Sequence, residues 1–228
     1  MASPLPATEI CVFDAYGTLF DFNSAVARHR AAIGPAADAL SELWRQKQIQ
    51  YTWLRNGMGA HARFWQVTGE ALDHCLAQHR VTDAAVREKL MGAYLSLDPF
   101  PEVPAMLDRL QRAGRRLAIL SNGNPEMLEA AVAAAGLTGR FEALLSVEEV
   151  GVFKPDARVY RLVETRCGVK PDKVCFLSSN CWDAHGAAHF GFRTVWVNRA
   201  GAPDDNLPGT LAGQVRDLSE LPGVLGVA

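Results

Sequence analysis

The chain has 228 residues, 49% hydrophobic and 21% charged, an ordinary globular balance with enough apolar material for a full core. A formal charge of −2 and a pI near 6.3 exclude the strong basic field that nucleic acid or an anionic membrane surface would select. No apolar stretch is long enough to span a bilayer, MASPLPATEI reads as no secretory signal, and five scattered cysteines (11, 75, 167, 175, 181) without a C-x-x-C pair read as reduced thiols of a cytoplasmic protein.

Taken in chain order, the first element is the apolar run Ile10–Phe13, which stops at Asp14 and is followed by a glycine turn with Thr18 and Asp21. Further short, β-branched runs follow at Leu117–Leu120, Leu144–Val147, Val174–Leu177 and Thr194–Val197. Helical stretches separate the later runs. The clearest is Pro125–Ala135, with Asn124 as the expected N-cap, Pro125 in its first turn and Gly136 just past its end. Strand alternating with helix predicts an α/β fold, a Rossmann-like doubly wound parallel sheet. Only the first interval is out of scale: roughly a hundred residues lie between the first two strands, against the ~30 of a βαβ unit. Its pattern is helical, with Leu40, Leu43, Trp44, Tyr51 and Leu54 forming an apolar stripe within 38–56. The simplest organisation is a catalytic core of 1–21 and 97–228 with an inserted helical cap, 22–96. The cap holds nine basic and six acidic residues, a small positive excess that suits anionic ligands or an ordinary solvated surface.

In an open parallel sheet, ligands bind beyond the carboxyl ends of the strands. There the sequence places Asp14, then Ser121-Asn122-Gly123, then Lys154 in GVFKPD, then Ser178-Ser179-Asn180 with Asp183 close behind. Each alone is an ordinary turn, cap or surface residue. Four such groups converging on one crevice point to chemistry.

The segments FDAYGTLFD, ILSNG, FKPD and SSNCWDAHGA resemble, in order, the four motifs of the haloacid dehalogenase superfamily. More narrowly, LWRQKQIQYTWLR, DPFPEVP and the spacing SSNxWDxxGA are similar to the L-2-haloacid dehalogenases, and the similarity runs through the cap helix. Superfamily phosphatases carry a second Asp two positions after the nucleophile and acidic residues after the fourth strand for Mg²⁺. This chain has Tyr16 and Ser178-Ser179-Asn180 there. A departing halide needs neither a proton nor Mg²⁺, so the resemblance implies no metal and no cofactor, although Asp14 and Asp183 still offer two carboxylates.

The resemblance implies that Asp14 displaces halide from C2 of a short-chain 2-haloalkanoic acid and forms an ester that water then opens. It places the substrate carboxylate on Ser121 and the backbone N–H groups of Ala15 and Tyr16. Arg45 and Asn122 receive the halide, and Lys154 orients Asp14. Thr18, Tyr160, Ser178 and Asn180 support the nucleophile, Lys154 and the water, which Asp183 activates. An apolar wall is expected from Tyr16, the stem of Gln46, Ile49, Phe64 and Trp182. A homodimer is implied as well, with no nucleic-acid or membrane partner. Arg45 has an ordinary reading as a solvated arginine, but Arg45, Ile49 and Trp53 recur every four residues, on a face distinct from the apolar stripe. His185 and His189, also four apart, read as structural for want of a third ligand. The competing functions are a superfamily phosphatase, disfavoured by Tyr16 and Ser178-Ser179-Asn180, and a non-catalytic binding module, disfavoured by the joint presence of Asp14, Arg45, Lys154 and Asp183.

Overall fold

The computed structural model describes Leu5 and residues 8–227. The strands and helices in chain order are β1 (Ile10–Phe13), β2 (Phe20–Asp21), α1 (Asn23–Ala27), α2 (Arg30–Ile33), α3 (Ala37–Met58), α4 (Phe64–Gln78) and α5 (Ala84–Tyr94). They continue with β3 (Asp98–Pro99), α6 (Val103–Arg112), β4 (Arg116–Ser121), α7 (Pro125–Ala134), β5 (Ala143–Ser146) and α8 (Ala157–Cys167). The last are β6 (Val174–Ser178), α9 (Cys181–Phe190), β7 (Arg193–Val197), β8 (Gly213–Val215) and α10 (Leu221–Val224).

Six strands form one parallel sheet in the order β5-β4-β1-β6-β7-β8. Strands added to one side of β1 and then to the other give the doubly wound order, with its crevice beside the first strand. β1 is fully buried on both faces, which is why its sequence is an unbroken apolar run rather than an alternating one. Phe13 lies opposite Ile119 of β4 and Leu177 of β6, so Asp14, the loop after Ser121 and the loop after Ser178 leave the sheet at one level.

All five expected strands are present within one or two residues. The sixth, β8, was not expected: Gly213-Gln214-Val215 is too short and too polar to stand out, and it exists because β7 offers it a free edge.

Between β2 and β3 the chain leaves the sheet through five helices. It departs and returns over the two-stranded antiparallel pair β2–β3, where Phe20 lies opposite Pro99. In the 22-residue α3, Leu40 and Trp44 are buried as expected, but the buried line then runs through Gln48 and Thr52, and Leu54 is 48% exposed. A polar side chain takes a core position here because its hydrogen bonds are met. Gln48 Nε2 donates to Thr68 Oγ1 at 2.8 Å and to Tyr94 Oη at 3.0 Å, and Thr52 Oγ1 donates to the Ile49 carbonyl.

A second correction concerns Asn124. It occupies the N-cap position of α7 without capping it; its Oδ1 instead accepts from the Trp65 amide at 2.7 Å, tying α7 to α4. Asn56 makes a similar tie, its amide group exchanging two hydrogen bonds with the backbone of Phe153 at 2.7 and 2.9 Å. The segment after Asp217 packs through Leu218, Leu221 and Leu225. No helix among the described residues is long and apolar enough to cross a membrane.

Candidate active site

Asp14 follows β1 directly, and its amide donates to Leu177 of β6 at 2.8 Å, which fixes the carboxylate at the sheet's end. Both carboxylate oxygens are engaged. Oδ1 accepts from Lys154 Nζ at 3.0 Å; Oδ2 accepts from Asn180 Nδ2 at 2.9 Å and Thr18 Oγ1 at 3.3 Å. Thr18 is itself held by the Ser179 amide, which donates to its hydroxyl at 2.8 Å. Gly17 makes that approach possible: it sits at φ +88°, and a Cβ there would lie 2.9 Å from Ser179 Oγ.

Lys154 is fully buried and spans two carboxylates, with Asp183 Oδ2 at 2.9 Å. Burial works against its ammonium, but Asp14 and Asp183 outweigh that and hold its pKa above the ordinary value. For Asp183 burial dominates and raises the pKa, with Lys154 pulling the other way. Its other oxygen accepts from Tyr160 Oη at 2.8 Å. Burial, then the charge of Asp183, keeps the Tyr160 phenol protonated and a donor. Gly186 leaves the space for that phenol, since a Cβ there would fall 2.6 Å from Tyr160 Oη.

Arg45 enters from α3. Its Nη2 donates to the Tyr16 carbonyl at 3.1 Å and Asn180 Oδ1 at 3.2 Å, its Nη1 to Gln48 Oε1 at 2.8 Å, and Phe22 lies under the guanidinium. Asn122 Oδ1 accepts from the Lys154 amide at 3.0 Å, which fixes its Nδ2 as a donor with no acceptor among the described residues. Neither the Ala15 nor the Tyr16 amide donates to another protein group among the described residues. The fully buried Ser121 hydroxyl accepts from the Gly123 amide and keeps its own hydrogen free. Asp14, Tyr16, Arg45, Ile49, Phe64, Ser121, Asn122, Lys154, Asn180 and Trp182 line a tightly closed pocket whose free volume is about 10 Å³, the space of one water-sized sphere. One wall is apolar: Tyr16 stacks on Phe64 at 5.9 Å, and Trp182 meets Trp53 edge-on at 5.2 Å.

Of the residues singled out from sequence, Gln46 is misplaced. It is exposed and lines an outer groove between α1 and α3, because it falls one position past Arg45 and about 100° further round the helix. Tyr160 reaches Asp183 rather than Lys154, and Ser178 supports Asn180 by accepting its amide at 3.2 Å. Asp183 is fully buried behind Lys154 and does not line the cavity. Unanticipated are Gln48 and Tyr94, which hold Arg45, and Arg199, whose guanidinium donates to the Thr18 carbonyl at 2.9 Å while paired with Glu102 at 2.7 Å. A glutamine in line with Leu40 and Trp44 is a readable signal; nothing in the sequence marks Arg199.

The superfamily's Mg²⁺ does not fit these residues. The carboxylate oxygens of Asp14 and Asp183 that face each other are bridged by an ammonium, and the donors after β6 are hydroxyls and an amide rather than acids. A larger groove of about 860 Å³ at the opposite end of the sheet, lined by Arg109, Arg112, Arg115 and Arg116, is no rival. Arg115 is committed to the Thr8 and Leu225 carbonyls and Arg116 to Glu142.

Residues 8–191 match the model of a hydrolase family described as haloacid dehalogenase-like hydrolase. The chain is 47% identical over 212 residues to (S)-2-haloacid dehalogenase 4A of Burkholderia cepacia, covering 92% of each chain. It is 50% identical over 190 residues to an (S)-2-haloacid dehalogenase of Pseudomonas sp. (strain YL), covering 83% of this chain and 82% of that one. The L-2-haloacid dehalogenase of Xanthobacter autotrophicus with chloropropionic acid covalently bound superposes with a TM-score of 0.89 at 37% identity, over 96% of this chain and 98% of that one.

Proposed function

Because the chain belongs to the haloacid dehalogenase-like hydrolases, we propose that it is an (S)-2-haloacid dehalogenase, converting (S)-2-haloacids to (R)-2-hydroxy acids and halide. The observation that carries this reading is the cavity itself. One carboxylate, Asp14, faces it, aimed by Lys154, Asn180 and Thr18, while Tyr16 stands where a phosphatase keeps its acid.

The substrate carboxylate is taken by Ser121 and the amides of Ala15 and Tyr16, donors that no group among the described residues claims. An Asp14 oxygen then attacks C2, the C–halogen bond breaks, and the pair of electrons leaves with the halide towards Arg45 and Asn122. Fixed donors in a site closed to water stabilise that developing anion without reorganising. The product of this step is an ester on Asp14. Water adds to its carbonyl, not to C2, so configuration inverts once. Asp183, the second carboxylate on the Lys154 ammonium, takes the proton once the water reaches it behind Lys154; its burial-raised pKa makes it a better base than an ordinary Asp. Tyr160 and Lys154 hold it in place. Tyr16, Ile49, Phe64 and Trp182 face the substrate's short alkyl chain.

The division into a core of 1–21 and 97–228 and a cap of 22–96 belongs to the same reading. The two-stranded β2–β3 stem, with Phe20 against Pro99, is what supports it. So does the assignment to the cytoplasm as a homodimer: all five cysteines are free thiols, and Leu54 and Met58, the latter 73% exposed, leave an apolar end of α3 for a second copy. Halide release from each enantiomer of 2-chloropropionate, with EDTA present, tests the function. Release from the (S) form alone, with (R)-lactate as product, is expected. Phosphate release from phosphoesters that depends on Mg²⁺, with no halide released, would replace it with the phosphatase.

A further inference from the structure

On the outer side of α9, Cys181, His185 and Asp204 bring one sulfur, one nitrogen and one oxygen within 4.8 Å of one another. Cys181 and His185 are one turn apart on the same helix face, and Asp204 reaches them from the loop between β7 and β8. His185 is buried, and both its ring nitrogens face oxygen: Nδ1 lies 3.0 Å from the Gly209 carbonyl and Nε2 2.8 Å from Asp204 Oδ1. A carbonyl only accepts, so Nδ1 carries the hydrogen. A neutral imidazole then turns the lone pair of Nε2 towards a carboxylate, which is repulsive unless a positive charge lies between them. An Nδ1–H bonded to a backbone carbonyl is how metal-binding histidines are usually oriented.

The loop is built to come this close. Gly209, at φ +106°, presses on α9 so tightly that a Cβ there would lie 2.6 Å from the His185 carbonyl and the His189 amide. Asp204 Oδ1 is shared with the Asn206 amide at 2.7 Å, which leaves Oδ2 without a hydrogen-bond partner among the described residues. His189, the other member of the histidine pair, is exposed and takes no part.

We propose that Cys181, His185 and Asp204 form a binding site for a divalent transition ion of the Zn²⁺ class, which staples the β7–β8 loop to α9. Sulfur, imidazole and carboxylate are the donors Zn²⁺ prefers, and a water completes the tetrahedron. Binding removes the Cys181 thiol proton to solvent, and any proton on Nε2 with it. Without the ion, burial raises the pKa of that thiol; a hydrogen bond from the Asp205 backbone pulls the other way, and the Asp205 and Asp204 charges add to the rise. The site is separate from the catalytic cavity, none of whose walls it supplies.

The test uses the full chain, stripped with EDTA and dialysed, then titrated with Co²⁺ and with Zn²⁺. One ion per chain is expected at micromolar concentration, with a sulfur-to-cobalt charge-transfer band that Zn²⁺ abolishes. The other four cysteines are buried, so the band reports Cys181. At a hundredfold excess over Kd, Tm should rise by roughly 5–10 °C. Cys181→Ser should lose the band, and Asp204→Asn, at the surface where it does not threaten folding, should weaken binding at least tenfold. Halide release by both variants shows that they are folded. No uptake by the wild-type chain would leave an imidazolium–carboxylate pair and overturn the proposal. So would a band that persists in Cys181→Ser, or a Kd for Asp204→Asn unchanged from wild type.

Discussion

Replacing Arg45 with alanine removes the cavity cation that is not already bound between two carboxylates, as Lys154 is. The guanidinium is fixed by three hydrogen bonds of 2.8–3.2 Å, to Gln48 Oε1, the Tyr16 carbonyl and Asn180 Oδ1. It therefore waits in place for a charge that exists only as the C–halogen bond breaks. A preorganised donor of this kind is worth about 2.7–4 kcal/mol in the transition state, a loss of roughly 10²–10³ in kcat. KM should move far less, because Ser121 and the Ala15 and Tyr16 amides hold the substrate. Arg45→Lys should recover only part of the rate, since an ammonium cannot reproduce a planar fork tied to three acceptors. Gln48→Ala should slow the wild type by loosening that fork, and should cost little more in the Arg45→Ala background, because the two act as one unit. Steady-state halide release with (S)-2-chloropropionate measures all four variants. A rate for Arg45→Ala within a few fold of wild type would refute the role of α3 in catalysis.

Asp14→Asn should show no turnover above background yet melt as a cooperative unit by circular dichroism, because Lys154 keeps Asp183 as its partner. Gly186→Ala sets a methyl 2.6 Å from Tyr160 Oη and 2.7 Å from Pro155 Cβ; overpacking of about 1–3 kcal/mol should lower Tm by several degrees and slow ester hydrolysis, and an unchanged Tm would contradict the packing. The pKa of Lys154 is raised on folding, so its contribution to stability is complete below the unfolded value of 10.5 and is lost as pH rises through the folded one. Thermal melts against pH should therefore show no decline from this group until above 10.5; a decline at lower pH that Lys154→Met abolishes would refute it.

Much of this was legible because the informative groups sit at strand ends. Asp14, Ser121 and Ser178 close or follow apolar strands, and a parallel sheet brings such points to one level, whereas Lys154, eight residues past β5, is carried in by the loop GVFKPD. Arg45 was readable from spacing, since a residue at every fourth position marks a helix face. Gln46 was not, because a difference of one residue turns a side chain a quarter of the way round the helix, and resemblance alone does not fix that rotation. Asn124 shows the limit of local rules: it stands where a cap should, but a tertiary partner, the Trp65 amide, competes for its oxygen. β8 and Arg199 depend on neighbours distant in sequence and leave no local trace.

The central claim is that Asp14 is a nucleophile rather than a base, and oxygen labelling tests it most directly. Both routes invert C2 once, so stereochemistry cannot separate them. In a single turnover with excess enzyme in H₂¹⁸O, the hydroxy acid should be unlabelled, because its new oxygen comes from the Asp14 carboxylate, and one ¹⁸O should appear on Asp14. Label in the first-turnover product, with Asp14 unlabelled, would mean that water attacks C2 itself and that no ester forms.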